Sequence, residues 1–376
     1  MLSFRDKAAA LLETAGIAIN GKNPWDIRIH DERFFERTLR GGSVAFGEAY
    51  MDDWWGVEEL DAFFTRIFEA RLDEKVQPMA LFPHYLKALL RNPQKGKRAY
   101  KVGEVHYDVG NELYAAMLDR RMTYTCGYWD RFQELPEAQT LDQAQEHKLE
   151  MICRKVGLKE GDKVLDIGCG WGSFIRYAAE KYGARCVGIS ISKEQVRHGN
   201  ETRGDLPIEF RLQDYRDMNE TFDHIVSVGM FEHVGYKNYR TYMRSVCRNL
   251  NENGNFLLHT IGTNVSTFSA DPWITKYIFP NSMLPSAAQI SKAVENIFII
   301  EDWHNFGPHY DRTLMAWYEN FQQAWPELKD RYDDRFYRMW EFYLLASAAA
   351  FRSRTNQLWQ IVLTKNGARG GYKSLR

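Results

Sequence analysis

Cysteine is scarce in this chain: five in 376 residues, at Cys126, Cys153, Cys169, Cys186 and Cys247. The number is odd and the spacings match neither a disulfide framework nor a zinc site, so a reducing cytoplasm and no metal are expected. Long apolar runs are also missing. No stretch of about 18 apolar residues occurs, so no membrane-crossing helix is expected. An excess of either charge is absent, with 49 Lys and Arg against 50 Asp and Glu, which leaves no global basic field to attract nucleic acid. The opening "MLSFRDKAAALLETAG" has charges inside its apolar stretch and no cleavage site, so no signal peptide is read there. Internal repeats and low-complexity tracts are absent as well.

Aromatic residues, by contrast, are plentiful at 14%, including 11 Trp and 20 Tyr. Most are expected to fill a core; the remainder suit a lipid or cation site. The length allows one large domain and a smaller one. Residues 1–88 carry a helical start from Phe4 to Thr14, a short alternating strand "WDIRIHD" and a turn at Gly41 and Gly42. Residues 89–101 gather Arg91, Lys95, Lys97, Arg98 and Lys101 around Pro93 and Gly96, the composition of an exposed linker. Its charge serves either solubility or attraction to anionic lipid headgroups, where each basic residue near the surface is worth about 1 kcal/mol.

Residues 102–376 form the third region. From Lys163, strands are predicted at "KVLDIG", "ARCVGIS", "IEFRLQD", "FDHIVSVGM" and "NFLLHTIG", with two more at "NIFIIEDW" and "QLWQIVLTK". Helices alternate with them at "SFIRYAAEKYG", "KEQVRHGNETRG" and "YRTYMRSVCRNL". The pattern predicts an α/β fold: a Rossmann-like, doubly wound, mostly parallel seven-stranded sheet with helices on both faces. Ligands in such sheets bind beyond the carboxyl ends of the strands. The first strand runs into "DIGCGWG", where Gly168, Gly170 and Gly172 allow close backbone approach as the chain turns into a helix. Asp166 within that loop would repel a pyrophosphate but suits a cationic amino-acid tail, which favours S-adenosylmethionine over a dinucleotide. In "SVGMFEHVG" an apolar strand gives out at Glu232, a costly place for a charge.

Seven segments, "VLDIGCGWG", "GISISKEQ", "LQDYRD", "MFEHVG", "HTIG", "DPWITKYIFPN" and "LMAWYENF", resemble the cyclopropane-fatty-acyl-phospholipid synthases, a family within the class I S-adenosylmethionine-dependent methyltransferases. The resemblance is dense from about Val105 and looser before the linker. It implies methylene transfer from S-adenosylmethionine to a cis double bond in a bilayer phospholipid, a helical insertion in the sheet domain, a lipid-associating N-terminal domain, a homodimer, and a place at the inner face of the membrane. For the cofactor it implies Asp166, Gly168, Cys169, Gly170 and Trp171 around the methionine part, and Ser190 and Gln195 where many methyltransferases use an acid. Asp214, Tyr215 and Arg216 match the positions beside the adenine, and Tyr124 and Thr125 those that fold over the cofactor.

An unconjugated alkene is a poor nucleophile, and its attack on a sulfonium methyl leaves a carbocation on the chain. Ring closure then requires loss of a proton from the new methyl group. Such a site needs an apolar tunnel, faces that tolerate positive charge, and a base. Trp273, Tyr277, Phe279, Trp317 and Tyr318 are candidates for the faces, although core packing is the expected role for any one of them. Glu232, His259, Cys126 and Tyr310 are expected to meet at the rim. The resemblance implies a bicarbonate ion as base, held by Cys126, Glu232, His259, Tyr310 and the backbone of Ile261; Glu232 as the base itself is the simpler alternative. Some family members have a cysteine in the late helical segment, where this chain has Ser347, so that cysteine's role reads as packing. Two other readings remain: methyl transfer by the same fold to a mycolic-type acyl chain or an amine, and, in a different class, a non-catalytic S-adenosylmethionine-binding or lipid-surface protein.

Overall fold

Strand and helix alternate from Lys163 as the apolar periodicity predicts. A computed structural model describes residues 3–72 and 110–376, which leaves the basic linker at 89–101 outside the described residues. The chain divides into two units, each discontinuous in sequence. The first gathers residues 1–91, 268–280 and 310–356; the second gathers 92–267, 281–309 and 357–376. The 1–88 region therefore supplies only part of its unit, and two later segments complete it.

The first unit begins with α1 (Phe4–Glu13), whose Ser3 and Asp6 form a reciprocal cap. The alternating "WDIRIHD" yields a short strand β1 (Arg28–Ile29), paired antiparallel with β2 (Trp55–Gly56). Between them lies α2 (Phe34–Met51). Gly41 and Gly42 fall where the sequence predicted a turn, and two helical stretches meet there. They kink this helix, Gly42 taking φ 62° and ψ −148°, a backbone conformation open to glycine. Helix α3 (Leu60–Glu69) follows, and its partner α12 (Asp334–Arg352) comes from far along the chain.

Aromatic side chains fill this unit's core. Phe342 of α12 lies 4.9 Å from Phe64 and 4.5 Å from Trp273, and Trp55 lies 4.5 Å from Phe46. A methyl group on Gly47 would fall 2.3 Å from the Trp273 indole, so glycine there permits the close packing. Polar contacts lock the same elements, with the Tyr50 and Tyr318 hydroxyls each donating to Glu341 at 2.6 Å. Trp273 and Trp317 are buried here, which is the core-packing role expected of the aromatic cluster.

The second unit holds the seven-stranded sheet. Its strands are β3 (Lys163–Ile167), β4 (Arg185–Ser190), β5 (Ile208–Leu212), β6 (Phe222–Val228), β7 (Leu250–Thr263), β8 (Ile299–Asn305) and β9 (Asn356–Thr364). Their order is β5-β4-β3-β6-β7-β9-β8. Strands β5, β4, β3, β6 and β7 pair in parallel, while β8 and β9 pair antiparallel. Order reverses between β3 and β6, the position where an open sheet binds its ligand.

Alternation along the strands sends successive residues to opposite faces. Leu165, Val187, Ile225, Leu258 and Ile361 pack on one face with α8 (Tyr239–Asn249) and α10 (Ala287–Val294). Val164, Cys186, Val226, Leu257 and Val362 pack on the other with α5 (Leu141–Val156) and α6 (Ser173–Tyr182). Burial on both faces explains why these strands read as nearly continuous apolar runs.

Candidate active site

The glycine loop joins β3 to α6. Gly168, Gly170 and Gly172 take φ of 85°, 56° and 87°, the left-handed region. They differ in what surrounds them. A methyl group on Gly168 would lie 2.5 Å from Met230, and one on Gly172 would lie 2.4 Å from Phe210. One on Gly170 would meet nothing within 4 Å. Gly168 and Gly172 thus serve packing, and Gly170 presents bare backbone. The N–H groups of Gly168 and Cys169 donate to the Ile189 carbonyl at 2.9 and 3.1 Å, which ties the loop to the end of β4.

Other cofactor candidates line the same rim. Trp171 is buried, with its indole N–H donating to Asn111 at 3.2 Å and its ring 5.0 Å from Tyr114, which lies 5.0 Å from Tyr124. At the end of β4, Ser190 donates to the Gln195 side-chain oxygen at 2.8 Å, and the buried Gln195 amide nitrogen has no partner. After β5, Asp214 accepts the Arg216 backbone N–H at 2.9 Å and its Nε at 2.8 Å. That carboxylate is spent on shaping its own turn, and Tyr215 rests edge-on against Tyr242 at 5.0 Å.

Asp166 is fully enclosed. Burial pushes its carboxyl up to about 7, opposed by the Lys148 ammonium, and its Oδ1 has no partner. Thr125 abuts the end of β6: a methyl group on Gly229 would lie 2.6 Å from the Thr125 methyl. Its hydroxyl oxygen accepts from Lys148 Nζ at 2.8 Å. Cys126 is buried and donates to the Gly127 carbonyl at 3.1 Å. Lys148, which also feels Cys126, is held down to about 8 by burial.

The carboxylate that the sequence left unexplained completes a ladder. The β6–β7 pairing runs to Val228 opposite His259, and the Gly229 N–H donates to the His259 carbonyl at 2.9 Å. The chain then turns away at Gly229, with φ 69°, into a 3₁₀ turn at Phe231–His233. Glu232 reaches back, and its Oε1 takes the Ile261 N–H at 2.7 Å. The Ile261 N–H therefore holds Glu232. Burial raises the Glu232 carboxyl to about 7, against the lowering effect of the Ile261 and Glu232 N–H groups and the Thr260 hydroxyl. Its Oε2 is buried with no partner.

His259 sits two residues before Ile261 and is 1% exposed. Burial, with the charges of Lys148 and Lys155, drives it well below the usual imidazole range, so it is neutral. The Gln360 side-chain nitrogen lies 3.3 Å from His259 Nδ1. An amide nitrogen only donates, which assigns Nδ1 as acceptor and leaves the ring proton on Nε2. That Nε2 is also buried with no partner. The turn after β6 thus presents one open acceptor, Glu232 Oε2, and β7, opposite the last residue of β6, one open donor, His259 Nε2–H.

Tyr310 belongs to the first unit, where its ring lies 4.6 Å from Phe351 and 5.8 Å from Trp317. Glu232, His259, Ile261 and Cys126 share the second unit. Lys148 and Gln360 were missed in the sequence. Lys148 had a readable signal, because it falls on the apolar stripe of α5 with Leu141, Gln145 and Ile152, where a cation is out of place. Gln360 had little beyond its position in an apolar strand. Among the described residues no cluster of His, Cys, Asp or Glu could hold a metal ion, and no helix is long and apolar enough to cross a membrane.

The family model for mycolic acid cyclopropane synthetase matches residues 94–361. The chain is 50% identical over 376 residues to the cyclopropane-fatty-acyl-phospholipid synthase of Escherichia coli (strain K12), covering 98% of this chain and 95% of that protein. Among solved structures it is similar to the cyclopropane synthase MmaA2 from Mycobacterium tuberculosis, with a TM-score of 0.66 and 29% identity across 71% of this chain and 98% of that one. The mycolic acid cyclopropane synthase CmaA1, solved with SAH and CTAB, gives a TM-score of 0.65 at 29% identity, with the same 71% and 98% coverage. These neighbours share the class I methyltransferase fold expected from the sequence.

Proposed function

This chain belongs to the cyclopropane-fatty-acyl-phospholipid synthase family, and from that premise we propose that it transfers a methylene group from S-adenosylmethionine to the cis double bond of an unsaturated phospholipid acyl chain. The observation that carries the reading is the buried pair of open groups around the end of β6, Glu232 Oε2 in the turn after it and His259 Nε2 on β7 opposite its last residue. A methyltransferase whose acceptor has no proton to lose needs no such pair beside its glycine loop. A ring-forming one must hold a base.

The residues present fit the cofactor. Gly170 offers unobstructed backbone, and Asp166 Oδ1 and the Gln195 amide nitrogen are buried polar atoms with no partner in the protein. S-adenosylmethionine supplies a methyl group on a sulfonium, whose carbon the alkene attacks. The chain's own residues keep water out and receive the proton that the new methyl group must lose before the ring closes.

One acceptor beside one donor suits an ion that offers a single O–H and accepts at its other oxygens, as bicarbonate does. Glu232 takes that O–H through Oε2 and so fixes the ion's orientation. His259 donates its Nε2 proton to another oxygen of the ion and, being neutral, does not quench the ion's basicity. Cys126, near the Lys148 charge, and Tyr310 are the further groups that the resemblance assigns to the ion. An acyl chain in a bilayer is reached only from the membrane surface, which supports a peripheral location on the cytoplasmic face. A homodimer rests on the family resemblance.

Incubation of the purified protein with S-adenosylmethionine and vesicles of unsaturated phospholipid tests the reading. Acyl chains should become heavier by one CH₂ and lose their olefinic proton signal. A product that gains a methyl group and keeps its double bond overturns ring formation. In bicarbonate-depleted buffer the wild-type rate should fall and return on adding bicarbonate; an unchanged rate makes Glu232 the base.

A further inference from the structure

The geometry points to Lys148 as a positioning residue for the methionine carboxylate of the cofactor, acting through Thr125; this rests on the S-adenosylmethionine reading above. Helix α5 turns two polar side chains inward toward the segment Thr123–Thr125. The Gln145 side-chain nitrogen donates to the Thr125 carbonyl at 2.7 Å, and one turn further on Lys148 Nζ donates to the Thr125 hydroxyl at 2.8 Å. Lys148 is 0% exposed, which is a costly place for an ammonium group with a single hydrogen bond.

Its charge has no carboxylate in direct contact. Asp119 attracts it most strongly among the neighbouring acids, but no ion pair within 4.0 Å joins them, and the Asp119 oxygens already accept the N–H groups of Thr123 at 2.7 Å and Arg121 at 3.0 Å and the Thr123 hydroxyl at 3.2 Å. Asp166 influences Lys148, yet no ion pair within 4.0 Å joins them, and Asp166 Oδ1 has no partner. Thr125 is similarly poised. Because its oxygen accepts from Lys148, its own hydroxyl proton must be donated elsewhere, and among the described residues it meets no acceptor. Its methyl occupies the space that a side chain at position 229 would need, so glycine there leaves room for it.

The result is a buried positive charge relayed through an oriented hydroxyl, with an unpartnered carboxylate oxygen nearby. A zwitterionic amino-acid tail has the complementary pair: its carboxylate takes the Thr125 O–H beside Lys148, and its ammonium neutralises Asp166. Lys148, Asp166 and the two charges of the tail then each have an opposite neighbour, with Asp119 adding to the field around Lys148.

Calorimetric titration with three probes separates this role from mere support of the fold. These are S-adenosylhomocysteine, its decarboxylated counterpart, and 5′-methylthioadenosine, which lacks the whole amino-acid tail. Lys148→Met should weaken S-adenosylhomocysteine by about 10- to 100-fold, the loss of one charge-assisted contact, while 5′-methylthioadenosine stays within about twofold. Equal weakening of both overturns the proposal, since a collapsed fold would hurt both alike. Should that variant not fold, the wild type decides. It should prefer S-adenosylhomocysteine to the decarboxylated probe by at least about tenfold, and Thr125→Val should erase that preference; equal wild-type affinities overturn the proposal. A wild type that binds none of the three refutes the S-adenosylmethionine reading itself, and this inference with it.

Discussion

Replacing Glu232 with glutamine should make the protein more stable and nearly inactive, with the gain in stability dependent on pH. Burial lifts this carboxyl from 4.5 to about 7 in the folded chain. Between those values the folded state binds more protons than the unfolded state, so the carboxylate's destabilising effect grows as pH rises through that window and is constant above it. Linkage puts the cost at about 1 kcal/mol at pH 5 and about 3 kcal/mol at pH 8. Glutamine never ionises and avoids this cost, but its amide group puts a polar atom at the Oε2 position, where no partner meets it, which returns about 1 kcal/mol. Glu232→Gln should thus be indistinguishable from wild type at pH 5 and about 2 kcal/mol more stable at pH 8. Equilibrium urea denaturation at the two pH values reads the difference directly. Activity should drop by about 10²- to 10⁴-fold, and the wild-type rate should fall as pH drops through about 7. A stability difference that does not change between pH 5 and pH 8 would refute the claim that Glu232 is a buried, ionising group.

The loop glycines should separate by role. Gly172→Ala, with its new methyl 2.4 Å from Phe210, should lower stability by about 2 kcal/mol or more in thermal unfolding. Gly170→Ala meets no neighbour, so it should cost only the backbone preference of about 1 kcal/mol yet weaken S-adenosylhomocysteine binding measurably in calorimetry. Gln360→Leu removes the donor that holds His259 Nδ1 as acceptor; the rate should fall about tenfold or more with little change in substrate KM, because the ring proton is no longer confined to Nε2. Ser347→Ala should leave the rate within about twofold of wild type, since a serine at that position supplies no thiolate.

The sheet was legible because β3, β4, β6 and β7 are apolar runs punctuated by glycine and polar turns, and burial on both faces permits little else. The break at Gly42 was legible as a turn, but helix on both sides of it was not, because a glycine pair reads the same whether the chain reverses or bends a helix. The composite first unit was also hidden. Its core joins Phe64 to Phe342, a long-range pairing that local periodicity does not encode. At the site, Glu232 could be flagged as an acid where a strand runs out, but its bond to the Ile261 N–H depends on register, and a shift of one residue would offer a different donor. Gln360 illustrates the remaining gap. In sequence it interrupts an apolar strand, and only the strand order, which inserts β9 beside β7, brings it to His259.

One physical thread connects these features. A carbocation on an acyl chain survives only where water is excluded, and exclusion of water is what raises Glu232 and Asp166 toward about 7 and holds Lys148 down to about 8. A pocket built for that purpose cannot expose its polar groups to solvent, so each must be satisfied by the fold or by what binds. The fold satisfies one oxygen of Glu232 through Ile261 and one nitrogen of His259 through Gln360, and leaves the second atom of each open. Half-satisfied groups, one in the turn after β6 and one on β7, cost stability, and simple replacement by apolar residues would recover it. Their pairing at the edge of a glycine loop makes sense when the missing partners arrive with the reactants, so titrating the protein with S-adenosylhomocysteine and bicarbonate together should raise its unfolding midpoint more than the cofactor product does alone. An identical midpoint with and without the ion would leave the open pair of Glu232 and His259 to the substrate itself, with the carboxylate as the base.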